Sequence, residues 1–234
     1  MRVAALIPAF NEEYWIAETL QAASALQTVD EIVVVDDGSV DGTKAAVEEC
    51  RSRVPGRIRL VELPVNQGKG AALNAGLSAA QADVYLLLDA DLGVTASYGA
   101  ELLAPVLTGE AHMAVARFTG DQAPGGRMGF GLVRRVAVCG VKLLTGCAVT
   151  SPLSGQRAVL AEVLERLGGF AEGFGAEVSL TVGALHHGFT VVEVPLPMRH
   201  RAYGRGLRGI CHRSRQLFHV LLALRGCWRR GWRR

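Results

Sequence analysis

The sequence predicts an α/β domain built on a mostly parallel sheet flanked by helices. Two observations carry this prediction. Short apolar runs alternate with segments of helical spacing through the first half of the chain. Two of those runs, EIVVVD and VYLLLD, are almost continuously apolar, as parallel strands covered on both faces must be. A third observation concerns function. The runs end in PAFNE, DDGS, PVNQGKG and DAD, and in open α/β sheets ligands bind beyond the carboxyl ends of the strands.

Taken in order, Val3 to Ile7, Glu31 to Asp36, Ile58 to Leu63 and Val84 to Asp89 read as strands. Between them, Glu12 to Leu26, Gly42 to Arg53 and Lys69 to Ala80 have helical spacing and helix-forming composition. Beyond Leu92 the pattern loosens. Ala114 to Phe118 reads as a strand, residues 120 to 129 as a loop and Leu132 to Leu144 as a helix, either buried or facing a membrane. A turn at SPLSGQ, a helix at Ala158 to Leu167, a Gly- and Phe-rich loop, a helix ending at His187 and a strand at Thr190 to Val194 complete the reading.

Charge is segregated along the chain. Of the 25 Lys and Arg residues, 14 lie in residues 1 to 198 together with all 22 acids, whereas residues 199 to 234 hold 11 Arg and no acid. The acidic body lacks the basic, aromatic-studded face of a nucleic-acid binder, so no nucleic-acid partner is expected. Five scattered cysteines without a CxxC pair signal neither a disulfide framework nor a zinc site. The start, MRVAALIPAFNEE, does not read as a signal peptide, and no run reaches the roughly 18 to 20 apolar residues of a membrane span. The expected location is the cytoplasm, with any membrane contact confined to a surface.

Singly, the motifs are ambiguous. DDGSVDGT follows a strand and precedes a helix, where Asp, Gly and Ser serve turns and caps as readily as ligands. NQGKGAALNAG sets Lys69 at a helix start suited to an anion, without the spacing of a Walker A or GxGxxG loop. Asp89 and Asp91, two apart after a buried strand, could share a hard divalent cation or simply form a solvated strand end.

Jointly, PAFNEE, IVVVDDGSVDGT, NQGKGAALNAG and LLLDADLG, in register over the first 93 residues, resemble the nucleotide-sugar half of family 2 glycosyltransferases with the GT-A fold. The resemblance implies an inverting, metal-dependent hexosyltransferase using a UDP-sugar, with UDP-glucose the commonest case. Pro8, Ala9, Asn11 and Glu12 would line the nucleotide pocket, Asp36, Asp37, Gly38 and Ser39 its uracil-side wall, and Lys69 would approach the base or diphosphate. Asp89 and Asp91 would hold the donor through Mg²⁺ or Mn²⁺, with Asp91 the direct ligand and His200 a third ligand, and Ala90 between them would contact the nucleotide-sugar.

The second half is matched more loosely. SPLSGQRA resembles the SGxRA-type segment, so Ser154, Gly155 and Gln156 would face the donor sugar or acceptor. GFGAEVSLT resembles the segment carrying the acid near the reacting carbon, which makes Glu177 the candidate base, although a carboxylate also favours a helix start. Arg199, Arg201 and Arg205 would meet the acceptor or diphosphate. On this reading residues 1–206 form the glycosyltransferase domain, 1–93 its nucleotide-sugar half and 94–206 its acceptor half, followed by a basic amphipathic segment at 207–234.

The acceptor is expected to carry phosphate, with polyprenyl phosphate favoured. A soluble glucosyl-phosphoglycerate synthase is the alternative, and a sugar-nucleotide nucleotidyltransferase the alternative from another class. The tail places Leu217, Val220, Leu221, Leu224 and Trp228 on one helical face. That face suits an anionic membrane surface, packing on the domain, or a homodimer partner.

Overall fold

The structure, a computed structural model, describes residues 1–119, 130–171, 175–199 and 207–232. The elements in chain order are β1 (Val3–Ala9), α1 (Ile16–Ser24), β2 (Glu31–Asp36), α2 (Thr43–Arg53), β3 (Ile58–Glu62), α3 (Lys69–Ala79) and β4 (Val84–Leu87). A 3₁₀ turn (Gly93–Tyr98), α4 (Gly99–Leu107), β5 (Met113–Phe118), α5 (Phe130–Thr145), β6 (Arg157–Leu160), α6 (Ala161–Leu167), α7 (Ala176–His186), β7 (Val191–Leu196) and α8 (Leu207–Arg229) follow. Among the described residues the strands form a seven-stranded sheet in the order β3-β2-β1-β4-β6-β5-β7. β6 runs antiparallel to both of its neighbours, and the other pairings are parallel.

The continuous apolar runs are explained by burial on both sides. Along β1, Val3, Ala5 and Ile7 join a core with α1 and α4, whereas Ala4 and Leu6 join a second core with α3 and α6. Successive strand side chains point to opposite faces, so a strand covered twice has no polar side to show. A third apolar cluster lies away from the sheet between α5, α7 and α8, around Val133, Ala137, Val141, Val178, Val182, Val220 and Cys227.

Two expectations need correction. The helix expected from Ala158 to Leu167 is a strand followed by a helix, with β6 ending at Leu160 and α6 beginning at Ala161. The string AVLAEVLERL has helical composition, but β6 fills the gap between β4 and β5 and hydrogen-bonds to both. Tertiary pairing therefore overrides local propensity. On α8 the buried seam is Leu217, Val220, Leu224 and Cys227, while Leu221 and Trp228 are each half exposed. The apolar positions counted as one face thus divide between a buried and an exposed side. No helix among the described residues is long and apolar enough to cross a membrane.

Helix α3 approaches the sheet closely through a glycine. A Cβ at Gly76 would stand 3.1 Å from Val35 Cγ2 and 3.4 Å from Leu6 Cδ2. This contact fixes the depth at which α3 lies on β1 and β2, and with it the position of Lys69 at the helix start. Gly76→Leu should therefore lower unfolding free energy by about 1–3 kcal/mol through overpacking, read as a lower urea midpoint. An unchanged midpoint would show that α3 can lift without cost.

Candidate active site

The carboxyl ends of β1, β2 and β4 open onto one edge of the sheet, and their loops fasten to one another. Asn11, at the end of β1, adopts φ of 56°, a left-handed conformation that Asn tolerates better than most residues. Its N–H donates to Ser39 Oγ at 3.0 Å, and its Oδ1 accepts from Val40 N–H at 3.0 Å. Ser39 is held in turn by Asp36, whose Oδ1 accepts the Ser39 N–H at 2.9 Å. Glu12 N–H donates to the buried Thr43 hydroxyl at 2.8 Å.

Asp37 ties this wall to the next loop. Its two carboxylate oxygens accept from Gln67 N–H and Gly68 N–H, each at 2.8 Å. Beside it, Gly38 has φ of +72°, and a Cβ there would lie 2.7 Å from the Val65 carbonyl carbon. Only glycine fits both the conformation and the close approach. Pro8 and Ala9 pair in register with Val35 and Asp36 and hold the two strand ends level.

The DAD segment is positioned by a hydroxyl from α1. Thr19, fully buried, donates to Ala90 O at 2.8 Å and accepts from Gly93 N–H at 2.9 Å. The loop that carries Asp89 and Asp91 is therefore clamped from below. Asp89 and Asp91 are both partly exposed. Four residues further along, the Thr95 hydroxyl lies 3.3 Å from Arg199 N, which brings the chain leaving β7 beside this loop. The remaining residues read from that segment, His200, Arg201 and Arg205, lie outside the described residues.

The centre of the site is a chain of charged and polar contacts. Lys69 Nζ lies 2.6 Å from Asp89 Oδ1 and 3.1 Å from Glu177 Oε1. The other oxygen of Asp89 accepts from Gln156 Nε2 at 2.7 Å, and Ser154 Oγ lies 3.4 Å from Gln156 Oε1. Burial alone would lower the Lys69 pKa, but the attraction of Asp89 and Glu177 outweighs it and raises the value above that of a free lysine. A Cβ at Gly155 would run into the Lys69 ammonium, so the glycine keeps the crossing open.

Most of the residues expected to form a site thus converge, and the structure adds others. Glu193, midway along β7, accepts from Thr150 N–H at 3.0 Å and Ser151 N–H at 2.6 Å, anchoring the turn that leads to Ser154. A lone acid within the apolar string VVEVPL is the sequence signal for it. Thr19 and Thr43 carry no such signal, because a threonine on a helix reads equally as surface or core.

Residues 4–138 match the family described as Glycosyl transferase family 2. The chain belongs to that family. It is a family 2 glycosyltransferase with the GT-A fold, which displaces the nucleotidyltransferase reading. It is 34% identical to glucosyl-3-phosphoglycerate synthase of Mycobacterium tuberculosis (strain ATCC 25618 / H37Rv), over 94% of this chain and 72% of the relative. The polyprenol monophosphomannose synthase of Mycolicibacterium smegmatis is 28% identical over 87% of this chain and 79% of its own length. A crystal structure of the M. tuberculosis glucosyl-3-phosphoglycerate synthase in complex with Mn²⁺, UDP-glucose and phosphoglyceric acid superposes with a TM-score of 0.76. That likeness carries 29% identity and covers 95% of this chain and 79% of that one.

The Thr19 clamp gives this family 2 site a direct test. Thr19→Val keeps the side-chain shape but strands a buried carbonyl and N–H, at a cost of about 1–3 kcal/mol. The expected result is a lower denaturation midpoint together with weaker metal-dependent binding of UDP in titration calorimetry. Loss of stability with unchanged UDP affinity would show that the clamp does not set the position of the DAD loop.

Proposed function

We propose that the enzyme transfers glucose from UDP-glucose to a small phosphorylated hydroxy acid of the 3-phosphoglycerate type. The supporting observation is the 34% identity to glucosyl-3-phosphoglycerate synthase across 94% of this chain, which spans the Asp89–Lys69 side and the Glu177 side of the site alike. This reading replaces polyprenyl phosphate as the favoured acceptor, since the polyprenol enzyme is matched at lower identity over less of the chain.

In this reading Pro8, Ala9, Asn11 and Glu12 form one side of the uridine pocket, and Asp36 to Ser39 form the other. The hydrogen bonds between these loops fix the pocket before the donor arrives, so little ordering is left for binding. Both oxygens of Asp89 serve Lys69 and Gln156; Asp91, two residues on, would be the carboxylate that meets a cation, with His200 as a further protein ligand. A hard carboxylate oxygen and an imidazole suit Mn²⁺, and the carboxylate alone suits Mg²⁺, so the donor set fits the metal. Such an ion supplies positive charge to the departing diphosphate.

The protein's own cations do the rest. Lys69 provides a fixed ammonium on the donor side, and Arg199, Arg201 and Arg205 provide guanidinium groups matched to the acceptor's phosphate and carboxylate. Glu177, read from sequence as the base of an inverting transfer, is ion-paired to Lys69 at 3.1 Å. We therefore assign it to holding Lys69 on Asp89, and the stereochemical course is to be read from the product.

Two experiments test the proposal. With purified protein, UDP-glucose, Mn²⁺ and 3-phosphoglycerate, mass spectrometry should detect a glucosylated phosphoglycerate, absent with EDTA and reduced at least about 10²-fold in Asp91→Ala, as expected when a group stabilising leaving-group charge is lost. Turnover with polyprenyl phosphate in detergent but none with 3-phosphoglycerate would overturn the acceptor. For the second, Glu177→Gln should lower kcat by about 10- to 10²-fold, the effect of misplacing a neighbouring group. A fall beyond about 10⁴-fold, with a product of inverted anomeric configuration by NMR, would restore Glu177 as the base.

A further inference from the structure

The largest fully buried side chain among the described residues is a cation, Arg157. It follows Gln156 at the start of β6, paired with Leu87 on one side and Val115 on the other. Its guanidinium makes three hydrogen bonds to oxygen and a weaker one to Met113 Sδ at 3.7 Å. Nε–H donates to Ser154 O at 2.8 Å, one terminal nitrogen donates to Pro152 O at 2.9 Å, and the other donates to the Thr181 hydroxyl at 2.8 Å. Burial pushes its pKa down to about 10, while Glu177 and Glu193 act on it through space in the opposite sense. It is therefore still charged near neutral pH.

A buried guanidinium contributes little to stability over an apolar side chain of similar volume, because desolvation offsets what its contacts return. The three oxygen acceptors are the informative feature. Pro152 and Ser154 lie on the turn whose last member, Ser154, meets the Gln156 amide oxygen, and so orients Gln156 Nε2 toward Asp89. Thr181 lies one turn along α7 from Glu177 and donates its hydroxyl to the Glu177 carbonyl at 2.9 Å. The contacts close a ring that runs from Gln156 to Asp89, Lys69, Glu177, Thr181 and Arg157, and back through the chain to Gln156.

We infer that Arg157 is a positioning residue: its planar fork ties the 152–154 turn to α7, and so holds Gln156 and Glu177 on the Asp89–Lys69 pair. Geometry is the operative property, since three donors in one plane can reach two carbonyls and a hydroxyl at once and a lysine cannot. The inference rests on the proposed role of Lys69 and Glu177 in sugar transfer, but it has a consequence that does not require turnover.

The chain contains only three lysines, Lys44, Lys69 and Lys142. Lys142 is exposed on α5, and the Lys44 side chain is 55% exposed, so both serve as internal references for competitive acetylation read by mass spectrometry. In the wild type Lys69 should acetylate far more slowly than Lys142. In Arg157→Lys, which keeps the charge, and in Thr181→Val, which keeps the shape and removes one acceptor, Lys69 should react several-fold faster while Lys44 and Lys142 are unchanged. kcat for glucosyl transfer should fall about 10²-fold and 10-fold respectively, and combining the two changes should cost less than the product of the separate effects.

Folded Thr181→Val with Lys69 labelled at the wild-type rate would overturn the inference, whatever its activity. So would full activity per folded molecule in Arg157→Lys. If the wild type shows no turnover with UDP-glucose and 3-phosphoglycerate, the substrate assignment fails, and the labelling of Lys69 still decides the role of Arg157.

Discussion

The site depends on one ammonium group shared by two carboxylates. Lys69 starts a helix that follows β3, Asp89 lies two residues beyond β4 and Glu177 sits in the first turn of α7, so a single side chain joins three segments distant in sequence. Two acids alone in a partly buried pocket would repel each other. With Lys69 between them they form a neutral-to-acidic unit that a diphosphate can approach only if further positive charge comes with it. In the proposed function, a cation and the arginines of the segment after β7 supply that charge.

Around this unit the backbone performs the positioning. Asp37, Asp36, Asn11 and Ser39 direct their side chains mainly at N–H groups of neighbouring loops. Residues that resemble ligand-binding acids in the sequence are thus also the struts of the pocket. The two roles are compatible, because a carboxylate fixed by backbone donors keeps a constant place. Thr19 does the same for the DAD loop from below, and Glu193 for the turn before β6.

The first half of the fold was legible in the sequence because its strands are buried on both faces and its motifs sit at their ends. β1 to β4 and the intervening helices fall close to where the apolar runs and helical spacing place them. β6 was not legible, since Arg157 to Leu160 are a strand only by virtue of the open edges of β4 and β5 on either side. The partners of Lys69 were hidden for the same reason. A lysine flanked by glycines at a helix start advertises an anion, but whether that anion is a bound phosphate or the protein's own acids depends on elements that arrive much later. Arg157, the arginine of the SGxRA-type segment, drew no role of its own, because arginine is rarely buried and the helical composition around it concealed the strand.

The reversed direction of β6 sets the order in which the molecule can mature. Parallel strands β1 to β4 can associate as they emerge, but Gln156, the partner of Asp89, lies 67 residues further along, and it reaches β4 only by entering the sheet from the opposite end. Contacts of such long separation form late, because loop closure must precede them. A nascent or truncated chain holding only the nucleotide-side half would therefore present Asp89 and Lys69 without their frame. Catalytic competence in this family 2 enzyme thus depends on the docking of the antiparallel strand and the helix beyond it.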